Sequence, residues 1–199
     1  MAVHPADTPS PAASPGGESA RPNWETRPLS DLIRHIVECH HAWLRAELPE
    51  IGRLIRREIE LAGRERSAQL IQMEKLFRQF QREIEDHLKK EEAVLFPLIE
   101  RLEESRAAGR PIPRQSFGSL RNPVQFMMQD HELADRLLVK MKERCGESEA
   151  GEGVGGTGQA VLERLEAVEA DLAAHVQLED EILFPRAIRL EESGRPADV

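Results

Sequence analysis

The sequence predicts an all-α protein, an up-down-up-down four-helix bundle preceded by a disordered tail. Three observations support this. Apolar residues recur at helical spacing in four long segments, no segment alternates as a strand would, and breaker-rich stretches of loop length separate the four.

The first segment runs from about Ser30, read as an N-cap, to Ala62, with a stripe of Val37, Leu44, Leu48, Ile51 and Ile55. The second runs from about Ser67 to Ser105 and carries Leu70, Met73, Phe80, Ile84, Leu88 and Leu98. The third opens at Asn122-Pro123, a cap followed by proline in the first turn, and is expected to stop at Gly146. The fourth runs from about Gln159 to Ser193, with Leu162, Leu165, Val168, Leu172, Ile182 and Leu183 inward. Gly146 to Gly158 reads as a loop and Ala107 to Asn122 as a longer connection. Residues 1–27 are rich in Pro, Ala, Ser and Gly, with little to bury, and are expected to be a disordered tail; the bundle domain is expected over 28–199. Pro49, Pro97 and Pro185 fall inside helical segments, where each removes a hydrogen bond and is expected to kink its helix or end its regular part.

Composition narrows the function. A length of 199 residues suits one domain with a sizeable core. A net charge of −9 and the lack of a Lys/Arg cluster argue against nucleic-acid and membrane-surface binding. No apolar run approaches the roughly 20 residues of a membrane span. The first residues have neither the basic nor the apolar part of a secretory signal, so a cytoplasmic protein is expected. Cys39 and Cys145 form no CxxC pair, which fits a reducing compartment and a packing role.

The chemistry lies in an internal repeat. HLKKEEAVLFPLIERLEES starts at His87 and HVQLEDEILFPRAIRLEES at His175, 88 positions on. Glu91 and Glu179 keep that offset, as do the two LFP triplets. The first and third segments match more weakly at an offset of 90, which pairs His41 with His131 and Leu48 with Leu138. A duplicated helix pair implies an approximate twofold axis.

Placed on helices, each of these four histidines occupies a core position, and each glutamate lies one turn beyond a histidine on the same face. One H-x3-E alone would be read as an exposed ion pair. Two copies in the same context, with two more histidines on the other helices, read differently. Carboxylates buried among leucines need compensation, and no Lys or Arg shares these stripes. A pair of metal ions supplies it, with His41, His87, Glu91, His131, His175 and Glu179 as ligands, the glutamates bridging and two imidazoles on each metal. Imidazole with bridging carboxylate favours iron, ahead of manganese or zinc. Around these, His40, Glu83, Asp130 and Asp171 are candidates for supporting roles or proton delivery. Glu92 and Asp180 are expected to face solvent, and His4 and His35 to be ordinary exposed histidines.

These motifs, His41 followed by LPE, the two H-x3-E…LFP blocks and the lone His131, resemble the hemerythrin-like domain over roughly residues 28–193. Within it they resemble most the repair-of-iron-centres group. The resemblance implies an oxo- and carboxylate-bridged di-iron centre held by the six residues named. It further implies a role in nitrosative or oxidative stress, with iron–sulfur proteins as partners whose clusters are restored. The alternative it offers is reversible binding of dioxygen or nitric oxide, as sensor or store. Members of the group usually carry a small N-terminal domain with a cysteine pair, which residues 1–27 do not match. Hemerythrins proper use a fifth histidine and an H-x4-D motif, and both motifs here are H-x3-E. An oxygen-activating enzyme is the least favoured reading: the chain has no tyrosine, so tyrosyl-radical chemistry is excluded.

Overall fold

The structure is a computed structural model that describes residues 22–62, 64–112, 118–149 and 156–193, excepting the side chains of 64–67, 145–149 and 156–158. The expected tail up to residue 21, His4, the side chain of Cys145 and the centre of the Gly-rich loop lie outside the described residues.

Four rods form the bundle. Helix α1 (Leu29–His35) passes through a π-helical turn (Ile36–His41) into α2 (Ala42–Leu61). The second rod is α3 (Arg64–Lys90), a π-turn (Glu91–Leu95) and α4 (Phe96–Ala107). The third is α5 (Arg121–Glu149). The fourth is α6 (Gly156–Gln177), a π-turn (Leu178–Leu183) and α7 (Phe184–Ser193). Each rod packs on its neighbours in chain order, α2 on α3, α3 on α5, α5 on α6, and α6 back on α2. This is the expected up-down-up-down arrangement, and the described residues contain no β-strand.

The π-turns explain where the prolines sit. In each repeat copy the amide of the phenylalanine reaches back five residues, Phe96 to the Glu91 carbonyl and Phe184 to that of Glu179. The proline comes next, where widened winding has already broken the regular ladder, so its missing N–H costs little. Pro97 and Pro185 thus open α4 and α7. Pro49 ends nothing, since α2 continues through it to Leu61. The wider turn also changes which residues point inward. Ile36, and not Val37, is fully buried, and Leu95 is buried while Val94 faces solvent. The third rod lacks such a turn, so Ile36 and Met127 correspond at an offset one residue longer than His41 and His131.

Helix ends also differ from the sequence reading. Ser30 lies inside the first turn of α1, whose amides at Leu29 and Ser30 donate to the Glu103 carboxylate at 2.6 and 3.0 Å. The helix α5 runs past Gly146 to Glu149; a glycine within a helix costs only about 1 kcal/mol. At the other end of the expected tail, Trp24 is buried beneath α1 and its carbonyl accepts a bond from Arg186, so packing begins within residues 22–27. His35 is half-buried against the Trp24 ring, and the Cys39 thiol donates to its Nδ1 at 3.3 Å.

The core divides in two. One cluster joins α2, α3, α5 and α6 around Leu48, Ile51, Phe77, Phe80, Met141 and Leu165. The other joins α1, α4, α7 and the start of α5 around Leu32, Ile36, Phe96, Ile99, Leu120 and Phe184. A polar layer lies between them.

Candidate metal centre

The polar layer consists of the six residues singled out by the repeat. On each rod they fall between the two apolar clusters, as His41 does between Ile36 and Leu44, and Glu91 between Leu88 and Leu95. The π-turns aim them. Glu91 begins the second of these turns, Glu179 is the second residue of the third, and His41 ends the first. A widened turn keeps residues spaced by four on one face, so His87, Glu91 and Leu95 all point inward, as do His175, Glu179 and Leu183.

Two overlapping sets form. His41, Glu91, His175 and Glu179 have one ligand atom each within 4.8 Å of one another, and so do His87, Glu91, His131 and Glu179. Both glutamates belong to both sets. The Nε2 atoms of His41 and His175 are 3.1 Å apart, as are those of His87 and His131. Two imidazoles at right angles on one metal, with bonds of about 2.1 Å, would stand about 3.0 Å apart. Glu179 presents Oε1 to His175 at 2.9 Å and Oε2 to His131 at 3.2 Å, one oxygen toward each set. Glu91 Oε2 lies 3.4 Å from Nε2 of both His41 and His87.

The cluster buries ionisable groups whose oxygens are left without partners. Glu91 and Glu179 are fully buried, and neither Glu91 oxygen has a hydrogen-bond partner. Burial, then the charge of Glu179, raises the Glu91 carboxyl well above the carboxylate range. Burial pushes Glu179 the same way, but His175 and His131 outweigh it and hold its carboxyl low. Burial, then His175, lowers His41 to about 4. Burial also lowers His87. For His131 burial is outweighed by Asp180 and Glu179, and the imidazole is raised to about 9. The two symmetry-related glutamates are thus pulled in opposite directions. The donor set fits a metal pair: neutral imidazoles and carboxylates with buried oxygens free to bind.

The outer residues follow the same twofold relation. His41 Nδ1 donates to Glu92 at 2.7 Å, and His131 Nδ1 stands 3.3 Å from Asp180. These two carboxylates are corrections to the solvent-facing assignment. Each comes from the rod beside its histidine, and both keep the 88-residue offset, the one signal that could have found them. Glu92 also pairs with Arg45 at 2.8 Å. Asp130 lies 3.5 Å from His87 Nδ1, a contact rather than a hydrogen bond, and 2.8 Å from Lys90; the nearby His87 imidazole leads in holding its carboxyl down at about 2. His175 breaks the pattern: among the described residues no carboxylate stands beside its Nδ1. Where symmetry would put a carboxylate stands His40, stacked on the His175 ring at 5.6 Å and donating to buried Asp171 at 2.9 Å. Glu83, the counterpart of Asp171, lines a cavity, and no hydrogen bond or ion pair reaches it among the described residues.

A four-helix bundle that buries imidazoles and carboxylates in two such sets defines a cation-binding bundle protein. The chain matches the hemerythrin HHE cation binding domain over residues 32–187 and belongs to that family. It is 28% identical over 166 residues to the iron-sulfur cluster repair protein YtfE of Escherichia coli O157:H7, which covers 83% of this chain and 69% of that protein. The same protein of Yersinia pseudotuberculosis serotype IB is 28% identical over 169 residues, covering 85% of this chain and 70% of the relative. That of Citrobacter koseri is 28% identical over 166 residues, with 83% and 69% covered. No described helix is long and apolar enough to cross a membrane.

Proposed function

We propose that this chain holds two iron ions and serves in the repair of iron–sulfur clusters under nitrosative or oxidative stress, in the cytoplasm. The supporting observation is the pair of overlapping His2Glu2 sets that share Glu91 and Glu179. His41 and His175 would hold one iron and His87 and His131 the other, with both glutamates spanning the two. Glu92, Asp130 and Asp180 orient His41, His87 and His131 through Nδ1 and make their Nε2 atoms better donors. His40, fixed by Asp171, packs against His175 and holds its ring in place without a hydrogen bond. The apolar clusters cover the layer from its two ends along the bundle. Iron in such a site supplies redox change and takes small ligands such as nitric oxide or dioxygen.

Likeness to the YtfE proteins, named for iron–sulfur cluster repair, supports iron–sulfur proteins as the partners. The test is transfer. Iron-loaded protein, mixed with an iron–sulfur protein whose cluster has been damaged by nitric oxide, is expected to restore the cluster absorbance and lose its own iron. A protein that keeps its iron, leaves the cluster unrepaired and binds dioxygen reversibly would replace this reading with a carrier.

A further inference from the structure

The candidate ligand imidazoles differ in what their rings touch on the outer side. His41 stacks on Phe96 at 5.7 Å and His131 on Phe184 at 6.5 Å, and both phenylalanines are buried in an apolar cluster. His175 leads elsewhere. Its ring lies parallel to that of His40 at 5.6 Å, His40 meets His35 edge-on at 5.7 Å, and His35 lies 4.9 Å from the Trp24 ring. Each step falls in the range of aromatic contact, about 4.5–7 Å between centroids. A run of four rings thus joins the polar layer to Trp24, which keeps 9% of its surface exposed between the exposed Asn23 and Glu25.

The run has no twin. The counterparts of His40 and His35 are Asp130 and Phe126. Asp130 has no ring, and Phe126 is 62% exposed with no ring contact among the described residues. The repeat therefore does not impose these rings on the His175 side.

Rings in contact couple electronically better than saturated side chains, so such a run suits the passage of an electron. The chain has no tyrosine and two tryptophans, which makes indole its most readily oxidised aromatic group. Trp43, the other tryptophan, packs half-buried against the core cluster of α2, α3, α5 and α6, with no ring contact to the six among the described residues.

The need for an electron arises when the centre is half empty. Hydrogen peroxide takes up two electrons to become two hydroxide ions. A ferrous pair supplies both. Once one iron has been given to a damaged cluster, the ferrous ion left behind supplies one and becomes ferric, so the second must come from the protein.

We propose that Trp24 is the electron donor to the half-loaded centre and its site of oxidative modification, with His35, His40 and His175 as the bridge. This part rests on the iron reading above. Trp24 gives up one electron through the rings, which completes the reduction of peroxide to two hydroxide ions. The Arg27 guanidinium, 5.6 Å from the indole centroid, disfavours a second positive charge there. The indole N–H proton therefore leaves to water, and a neutral radical stays on the ring. The oxidising equivalent ends near the surface, away from the ligand imidazoles it would otherwise attack. Cys39, whose thiol meets His35 Nδ1 at 3.3 Å, is placed to return a hydrogen atom to this radical and become a thiyl.

The test uses the full chain carrying Cys39→Ser, so that the thiol does not refill Trp24 unseen. Metal-free, one-iron and two-iron forms meet hydrogen peroxide with a nitroso spin trap, which bonds to carbon-centred radicals, and peptide mass spectrometry locates the adduct. The one-iron form is expected to carry it at Trp24 and not at Trp43, and the other two forms to carry none. His35→Leu removes the ring and is expected to lose the adduct at unchanged iron content. His35→Phe keeps a ring and is expected to retain it. An adduct at Trp43 in place of Trp24, or at Trp24 in metal-free protein, overturns the proposal. So does His35→Leu at the parental yield, or a loss in His35→Phe as complete as in His35→Leu. If His35→Leu fails to fold, His40→Leu decides on the same terms. Ferrous ion bound with no adduct overturns the relay alone, whereas a chain that binds no ferrous ion refutes the metal reading as well.

Discussion

Glu103 and Glu191 stand 88 positions apart and do the same work at the start of two different helices. Glu103 accepts the amides of Leu29 and Ser30 at the head of α1, and Glu191 accepts the amide of Leu120 at 3.1 Å together with the Ser119 hydroxyl at 2.9 Å before α5. Helix N-termini carry unpaired amides and partial positive charge, so a carboxylate there satisfies both. The repeat thus reaches beyond the metal layer to the bundle's end. Glu191 is the more deeply buried, and the Leu120 amide it accepts is buried with it. Glu191→Ala is expected to destabilise by about 1–3 kcal/mol in chemical denaturation, and more than Glu103→Ala. Equal and negligible losses would show that water serves these amides as well.

Glu92 shows how an outer carboxylate should act. It receives the His41 proton at 2.7 Å from outside either set. Glu92→Gln keeps the shape and removes the charge, so it is expected to weaken metal binding about 10- to 100-fold while leaving the helical signal unchanged. Competition against a chelator of known affinity measures this. An unchanged affinity would reduce Glu92 to the surface role its position on a helical wheel suggests.

Metal-free protein should have its own pH dependence. His131 rises from 6.5 to about 9 in the folded chain, where Asp180 and Glu179 overcome the effect of burial. The folded form therefore binds this proton more tightly than the unfolded form. That stability is complete below pH 6.5 and is lost as pH climbs to about 9, on the order of 3 kcal/mol. Glu91, raised by burial and Glu179, acts in the same direction from its ordinary 4.5 upward. His41 acts oppositely: lowered to about 4, its contribution is present above 6.5 and lost as pH falls. Denaturation of the metal-free chain from pH 6.5 to 9 should therefore show falling stability. Metal affinity should rise over the same range, because metal needs neutral imidazoles and ionised carboxylates. A metal-free chain that gains stability on the alkaline side would contradict these assignments.

Much of the bundle was legible in the sequence, because amphipathic periodicity reports burial directly. So was the gathering of six ionisable residues in one layer, since each occupied an apolar stripe that would otherwise reject it. The phase of the stripes was less legible. A π-turn adds one residue to a turn, and nothing local separates Ile36 from Val37 or Leu95 from Val94 until the helix is built. Glu92 and Asp180 were missed for a related reason: an imidazole's outer nitrogen points at the neighbouring rod, and a single-helix wheel shows no neighbours. The caps at Glu103 and Glu191 span more than 70 residues, beyond any cap motif. Trp24 was hidden by the Pro- and Ser-rich composition around it.

The most direct measurement is the metal content of the purified full chain, in parent form and in His87→Ala and Glu179→Ala. The parent should carry two irons, one for each of the two sets. Each variant should lose iron and melt at lower temperature, Glu179→Ala the more severely because it serves both sets. Two irons per chain retained in both variants, or none in the parent after reconstitution with ferrous ion, would contradict the centre proposed for this bundle.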